Sequence, residues 1–329
     1  MPKVTVLMPV YNGEKYLDQA IESILNQTFS DFDFLIMDDG SIDQSLEIAK
    51  SYTDVRIKII ENVQNLGIIT TLNKGLKIAK GKYIARMDSD DVCFPARLEK
   101  QVDFLDKHPE ISIIGSNVQV IDSSSKRIKT MSFPTESELI KWHLFFCSPI
   151  AHPTVLARRE VLIKLGGYNS QCQYVEDYEL WLRASKDYKF ENISEELLYY
   201  RLHDNNISVN HQQAQEKNAS YYLQSYCLKS LNLNLSTSGL DMIRFKSERY
   251  DAFTSFNTLK SMYLKFIEIY FISKKHQYLV RQDICNRMLG IVKRDNNWIS
   301  RIQGLLLAVK FDFSTMITLI YTKLKNQLF

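Results

Sequence analysis

Apolar and polar positions alternate in blocks along the first 120 residues. VTVLMPVY near the N-terminus is a short apolar run rich in β-branched residues, the pattern of a buried strand. In residues 14–27, EKYLDQAIESILNQ, the side chains of Leu17, Ile21, Ile24 and Leu25 fall on one helical stripe. FDFLIMDDG predicts a second strand ending in two carboxylates and a glycine. SIDQSLEIAKSY predicts a second helix with Ser41 as its N-cap. VRIKIIEN reads as a third strand, ITTLNKGLKIAK as a third helix stopped by Gly81, and KYIARMD as a fourth strand running into more carboxylates. This βαβαβαβ order predicts an α/β fold with a mainly parallel sheet and right-handed crossovers. Ligands bind at the carboxyl ends of the strands in such sheets. Tyr11-Asn12-Gly13, Asp38-Asp39-Gly40 and Asp88-Ser89-Asp90-Asp91 all fall at such ends, so three strand ends point at one crevice.

Further along, ARLEKQVDFLDKH within residues 94–108 predicts a helix, and ISIIGSNVQVID reads as one long strand or a strand pair. Residues 151–210 mix short helices and strands, and from about residue 212 the pattern becomes helical and rich in Tyr, Phe, Leu, Ile and Lys. Charge sharpens this division. Residues 211–329 carry 17 Lys and Arg against 8 Asp and Glu, whereas residues 1–210 carry 24 against 30. Two regions follow, 1–210 and 211–329, and the basic one suits an anionic surface. With 45% hydrophobic and 24% charged residues, the 329-residue chain is neither disordered nor low in complexity. Five single Cys with no CxxC disfavour a disulfide framework or zinc site and fit a reducing compartment. The first apolar run is short and broken by Pro9, unlike a signal sequence, and no run of about 18 uncharged apolar residues predicts a spanning helix.

Three clusters could carry chemistry. Asp88, Asp90 and Asp91 repel one another unless a cation lies between them; they suit Mg²⁺ or Mn²⁺ held with substrate phosphates, or else form a solvated turn. Asp38 and Asp39 could accept hydrogen bonds from a ribose or a base, or simply build the turn DDGS. Glu176 and Asp177, in YVEDYELWLRAS, lie beside Tyr178, Leu180, Trp181 and Leu182, which read as buried. A carboxylate in such surroundings gains proton affinity and can act as a general base; the alternative is a capped helix start with Glu179 exposed. His203 and His152 each suit a ligand, a phosphate contact or a structural role. The absence of GxGxxG after the first strand, and of GxxxxGK[ST] anywhere, disfavours a dinucleotide site or a P-loop.

PVYNGEKYLDQAIESILNQTFSDFDFLIMDDGSIDQS, NLGIITTLNKGLKIAKGKYIARMDSDD, GGY and VEDYELWLR, in this order over about residues 1–205, resemble the family 2 glycosyltransferases of the GT-A fold. The resemblance implies a Rossmann-like catalytic domain with a mixed, mainly parallel sheet. It also implies transfer of a sugar from a nucleotide-sugar, usually a UDP-sugar, with inversion. By the same resemblance Pro9, Tyr11 and Asn12 begin the nucleotide pocket, Asp39 contacts uracil or ribose, and Asp38 neighbours it. Asp88, Ser89 and Asp90 match the DxD motif, whose last Asp holds Mn²⁺ or Mg²⁺. Gly166 and Gly167 match a loop near the donor sugar. Asp177, preceded by Glu176, matches the catalytic base. His203 resembles the histidine that completes the metal site, and Arg201 is a diphosphate contact. His152 acquires no role this way.

The helical region has no such counterpart. KFIEIYFISKK and GLLLAVKFDFSTMITLIYTKLK are apolar, aromatic and basic, interrupted by Lys310 and Asp312. They suit an interfacial helix on anionic lipid, or a subdomain packing on the catalytic domain or on a second subunit. The expected enzyme therefore adds a sugar to a saccharide or lipid-linked oligosaccharide of a surface polysaccharide. It would work in the cytoplasm or peripherally on the inner face of the membrane, with homo-oligomers left open. A nucleotidyltransferase would also use carboxylate-bound metal, but PVYNGEKYL is a poor Gly-rich basic loop. A non-enzymatic nucleic-acid-binding protein is disfavoured by the acidic front and the lack of a motif, so nucleic acid is not an expected partner.

Overall fold

In the computed structural model, residues 1–204, 206–245 and 247–325 are described. They divide into two compact units, Met1–Ile140 with Ser148–Gln215, and Lys141–Cys147 with Glu216–Phe329.

The first unit is built on one sheet. Strand β1 (Val4–Val10) pairs in parallel with β2 (Phe32–Asp38) on one side and β4 (Tyr83–Arg86) on the other, and β3 (Ile57–Glu61) extends β2 in parallel. Between these strands run helices α1 (Leu17–Leu25), α2 (Ser45–Ser51) and α3 (Ile68–Ile78). All seven residues of β2 are buried, as expected of a central parallel strand covered on both faces. Side chains alternate across the sheet. Val4, Val6, Met8 and Val10 join the core cluster that also takes Leu17, Ile21 and Ile24 of α1. Leu7 points the other way, against Gly75 of α3. Pro9 is tolerated inside β1 because β4 pairs only with Val4–Leu7, so the missing N–H lies where β1 has outrun its neighbour.

Beyond β4 the sheet changes character. A two-residue strand β5 (Val92–Cys93) and helix α4 (Arg97–Lys107) lead into β6 (Ile111–Ile121) and β7 (Arg127–Met131). Helix α5 (Ser137–His143) and a 3-10 turn (His152–Thr154) precede β8 (Leu156–Arg158), α6 (Arg159–Lys164), α7 (Glu176–Ala184) and β9 (Lys189–Arg201). The strand order is β3-β2-β1-β4-β8-β6-β9-β5, with β7 paired to β6. β8 is antiparallel to both β4 and β6, while β6 and β9 run parallel. The segment ISIIGSNVQVID is therefore one strand, buried over all eleven residues of β6.

Two local expectations fail. Ser41 does not cap α2: the helix starts at Ser45, and the Ser41 hydroxyl instead accepts the Asn12 N–H at 3.1 Å. Gly81 does not stop α3, which closes at Ala79; Gly81 is where the chain passes so near Thr5 that a Cβ would lie 2.4 Å from its backbone nitrogen.

Helix α8 (Ile207–Asn210) closes the first unit; the second is helical, formed by most of α9 (Gln212–Leu231), α10 (Thr237–Ile243), α11 (Ala252–Tyr270), α12 (Lys274–Arg294), α13 (Trp298–Phe311) and α14 (Phe313–Lys325). Asp251, Ser273 and Asn297 cap α11, α12 and α13 with their side chains. Trp142, from the returning segment, is wholly buried; its indole donates to Asp283 at 2.7 Å and packs edge-on against Phe266.

Candidate active site

A cavity of about 1450 Å³ opens at the carboxyl ends of β1, β2 and β4. Its walls include Pro9, Tyr11, Asn12, Asp39, Asp88, Asp90, His152, Glu176, Asp177 and His203. Residues separated by nearly two hundred positions thus share one crevice, at the place where an open α/β sheet takes its ligand.

The loop after β1 is stapled to the loop after β2. Asn12 adopts φ +50°, a left-handed conformation that Asn tolerates better than most residues. Its side-chain oxygen accepts the Ile42 N–H at 3.0 Å, and Gly13 N–H donates to the Ser45 hydroxyl at 2.8 Å. Asp39 anchors the opposite wall. Its Oδ1 accepts from Asn62, the Leu66 N–H and Thr71 at 2.8–2.9 Å, and its Oδ2 accepts the Gly67 N–H at 2.9 Å. Asp38 is not in the wall. One of its oxygens accepts the Gly40 and Ser41 N–H groups, so it shapes the DDGS turn instead of facing a nucleotide.

Asp88, Asp90 and Asp91 place carboxylate oxygens within 4.8 Å of one another. Arg86, buried at the end of β4, forms an ion pair with Asp88. His203 Nε2 lies 2.9 Å from Asp90 Oδ2, and its ring stacks on Tyr16. Burial, then repulsion from Asp90 and Asp88, holds the Asp91 carboxyl well above its usual range; one of its oxygens is buried with no partner among the described residues. Burial raises Asp88 too, against the pull of Arg86. Three crowded carboxylates, one cation and an adjacent imidazole form an oxygen-rich, charge-deficient donor set that fits a hard divalent ion.

Arg201 is not a free diphosphate contact. Its guanidinium donates to the Asp90 carbonyl, Ser125 and Gln19, all at 2.8 Å, and lies over Tyr16. Its N–H donates to Asp91 at 2.8 Å. Arg201 therefore braces the carboxylate loop from behind. Lys cannot span three acceptors from one point charge. Arg201→Lys is expected to lower stability by about 1–3 kcal/mol, because buried acceptors lose a charged donor; denaturant titration checks it.

Glu176 and Asp177 open α7. Asp177 Oδ2 lies 3.4 Å from the Ser148 hydroxyl, whose proton also reaches the Ile150 carbonyl at 3.1 Å, so Asp177 keeps capacity to accept a proton. Burial raises its affinity for that proton. Burial and the Asp177 charge push Glu176 up to about 7. The folded value exceeds the unfolded 4.5, so Glu176 contributes stability that is complete below about pH 4.5 and is lost as pH rises through about 7. Thermal unfolding of the metal-free protein between these limits should show a falling melting temperature, and Glu176→Gln should flatten the slope. An unchanged slope would remove Glu176 as its source.

Gly167, at φ +72°, stands outside the cavity wall; a Cβ there would lie 2.4 Å from Asn73 Oδ1. The same Asn73 oxygen accepts the Tyr168 N–H at 2.9 Å, and the Tyr168 hydroxyl meets His152 Nε2 at 2.8 Å. The glycine pair thus positions a tyrosine instead of touching the cavity. Gly166, at φ +79°, makes the same turn. His152 lines the cavity, and burial, then the nearby Arg86, lowers the proton affinity of its imidazole well below the usual value. Arg86 and Ser148 were missed in the sequence. An arginine closing the apolar strand YIAR just before three carboxylates was the available signal for the first; nothing marked the second.

Known proteins resemble this chain in sequence and in fold. A family model described as Glycosyl transferase family 2 matches residues 5–166. An uncharacterized glycosyltransferase of Haemophilus influenzae is 36% identical over 248 residues, covering 68% of this chain and 75% of its own. The O-antigen biosynthesis glycosyltransferase WbnJ of Escherichia coli is 35% identical over 237 residues, covering 69% and 89%. Among solved structures, residues 1–349 of S. aureus TarS in complex with UDP-GlcNAc superpose with a TM-score of 0.59 at 17% identity, covering 97% of this chain and 92% of that one. The mannosyltransferase PcManGT of Pyrobaculum calidifontis, in complex with GDP-Man and Mn²⁺, gives 0.53 at 13% identity, covering 100% and 81%. The architecture is that of the GT-A glycosyltransferases. On the identity and coverage of these relatives, the chain is an enzyme belonging to glycosyltransferase family 2.

Proposed function

We propose that the enzyme is an inverting, metal-dependent transferase that moves a sugar from a nucleotide-sugar, a UDP-sugar by preference, to a hydroxyl of a saccharide or lipid-linked acceptor in surface polysaccharide synthesis. The observation that carries this reading is that one cavity holds a carboxylate cluster suited to a divalent ion and, separately, a half-buried carboxylate with raised proton affinity. The O-antigen role of WbnJ and the UDP-GlcNAc bound by TarS support the acceptor class and the donor base.

The wall from Pro9 to Asn12 lines the cavity together with Asp39 and would receive the nucleoside. Asp88, Asp90, Asp91 and His203 would hold Mn²⁺ or Mg²⁺, which when bound stabilises negative charge on the departing diphosphate. Asp177 takes the proton of the acceptor hydroxyl as that oxygen attacks the anomeric carbon. The C–O bond to the diphosphate breaks on the opposite side, so a single displacement inverts the centre. One base is sufficient, and Asp177 has one oxygen only weakly engaged. Glu176, adjacent and buried, feels the Asp177 charge, and burial together with that charge raises its own proton affinity to about 7.

The test is a thermal-shift panel of UDP-, GDP-, CMP- and dTDP-sugars with and without Mn²⁺. Stabilisation confined to UDP-sugars and dependent on Mn²⁺ is expected. Stabilisation by another nucleotide class would replace the donor, and none by any of the four would count against the transferase reading.

A further inference from the structure

We infer that α13 and α14 form a docking surface for an anionic lipid bilayer. In α13, Ser300, Gly304 and Ala308 are buried, and Gly304 packs so close to Ala252 of α11 that a Cβ would lie 2.6 Å from the Ala252 Cβ. The small residues thus fix which side of α13 faces inward. Opposite them, at i, i+4 and i+8, Trp298, Ile302 and Leu306 are exposed by 68%, 50% and 63%. Helix α14 repeats the spacing with Phe313, Ile317 and Tyr321, exposed by 66%, 49% and 67%. Soluble surfaces expose single apolar residues freely, but two successive helices with large apolar side chains on every outward turn mark an interaction face.

Charge decides between occupants. Residues 298–325 contain four Lys and Arg and one acid, Asp312. That acid is mostly buried and faces Arg281 at 3.4 Å, so it does not oppose the surface charge. Arg301 and Lys310 are exposed and, by helical spacing, flank the apolar stripe of α13 on its two sides. A second copy of this chain would bring like charges together. Anionic headgroups would pair with them while tryptophan, tyrosine and aliphatic side chains enter the headgroup layer. No single helix among the described residues is long and apolar enough to cross a membrane, and α13 and α14 meet at a 118° bend. The contact is therefore peripheral. A lipid-linked acceptor would make such docking useful; that clause alone rests on the transferase reading.

The full chain is mixed with sedimentable vesicles of phosphatidylcholine alone, or with about 30 mol% phosphatidylglycerol. Binding to the anionic vesicles only, weakened by high salt, is expected. Ile302→Ser with Leu306→Ser should lower the bound fraction about tenfold or more, since two apolar side chains no longer leave water. Arg301→Gln with Lys310→Gln should weaken binding and its salt dependence together. Both pairs are exposed, and unchanged circular dichroism and melting temperature would show the fold is kept. No binding to anionic vesicles overturns the inference, as does binding indifferent to both double variants. Light scattering that shows a dimer which the apolar variant dissociates, without vesicle binding, would make the face a subunit interface and also overturn it. Neither donor nor acceptor enters the experiment, so it can fail while the transferase reading stands.

Discussion

Asp177→Asn is expected to lower kcat by ~10²–10⁴-fold, the range a positioned base supplies. The substitution keeps the shape and removes only the ability to take a proton. Among the described residues Asp177 hydrogen-bonds to the Ser148 hydroxyl and to the first turn of α7, and not to the nucleotide wall. Donor KM should stay within about twofold, so kcat and kcat/KM fall together. Burial disfavours its charge and outweighs the pull of Arg86 and the N–H groups at the start of α7, so the amide should leave the melting temperature unchanged or higher. Initial rates against donor concentration check this. A rise in KM with kcat preserved would make Asp177 a binding residue and leave the base to be found elsewhere.

Asp90→Ala should have an effect of comparable size, on a different step. Asp90 Oδ2 is the atom that His203 and Asn206 both approach, at 2.9 and 3.4 Å. Its removal takes the central carboxylate from the donor set. The Mn²⁺-dependent part of donor affinity is expected to fall about a hundredfold, near 2.7 kcal/mol. Metal-independent binding of the nucleoside against Asp39 should survive. Calorimetric titration of UDP with and without Mn²⁺ separates the two parts. Equal Mn²⁺ enhancement in Asp90→Ala and the parent would remove Asp90 from the metal site.

Much of this site is legible in the amino-acid sequence because parallel α/β architecture writes its function at strand ends. Apolar runs that stop abruptly at Asn12, Asp38 and Asp88 place three loops at one end of the sheet. The buried face of α7 was equally legible, since Tyr178, Leu180, Trp181 and Leu182 are all buried. What sequence could not resolve is direction. Asp38 and Asp39 are adjacent, yet one turns inward to its own loop and the other faces the cavity. Arg201 and His203 lie two apart at the end of β9, and only His203 enters the cavity. For Asp38 and Asp39, alternation fixes that neighbours diverge but not which face is which until the partner strands are known; Arg201 and His203 would share a face in a continued strand, and they part because β9 ends at Arg201. The antiparallel return through β8 was invisible for a related reason: three residues are too few to carry a periodicity.

The most direct measurement is a crystal structure with UDP and Mn²⁺, using the anomalous signal of manganese. The expected result is an anomalous peak beside Asp90 and His203, with the uracil near Tyr11 and Asp39. UDP bound elsewhere, or bound in this cavity with manganese away from Asp90, would contradict it.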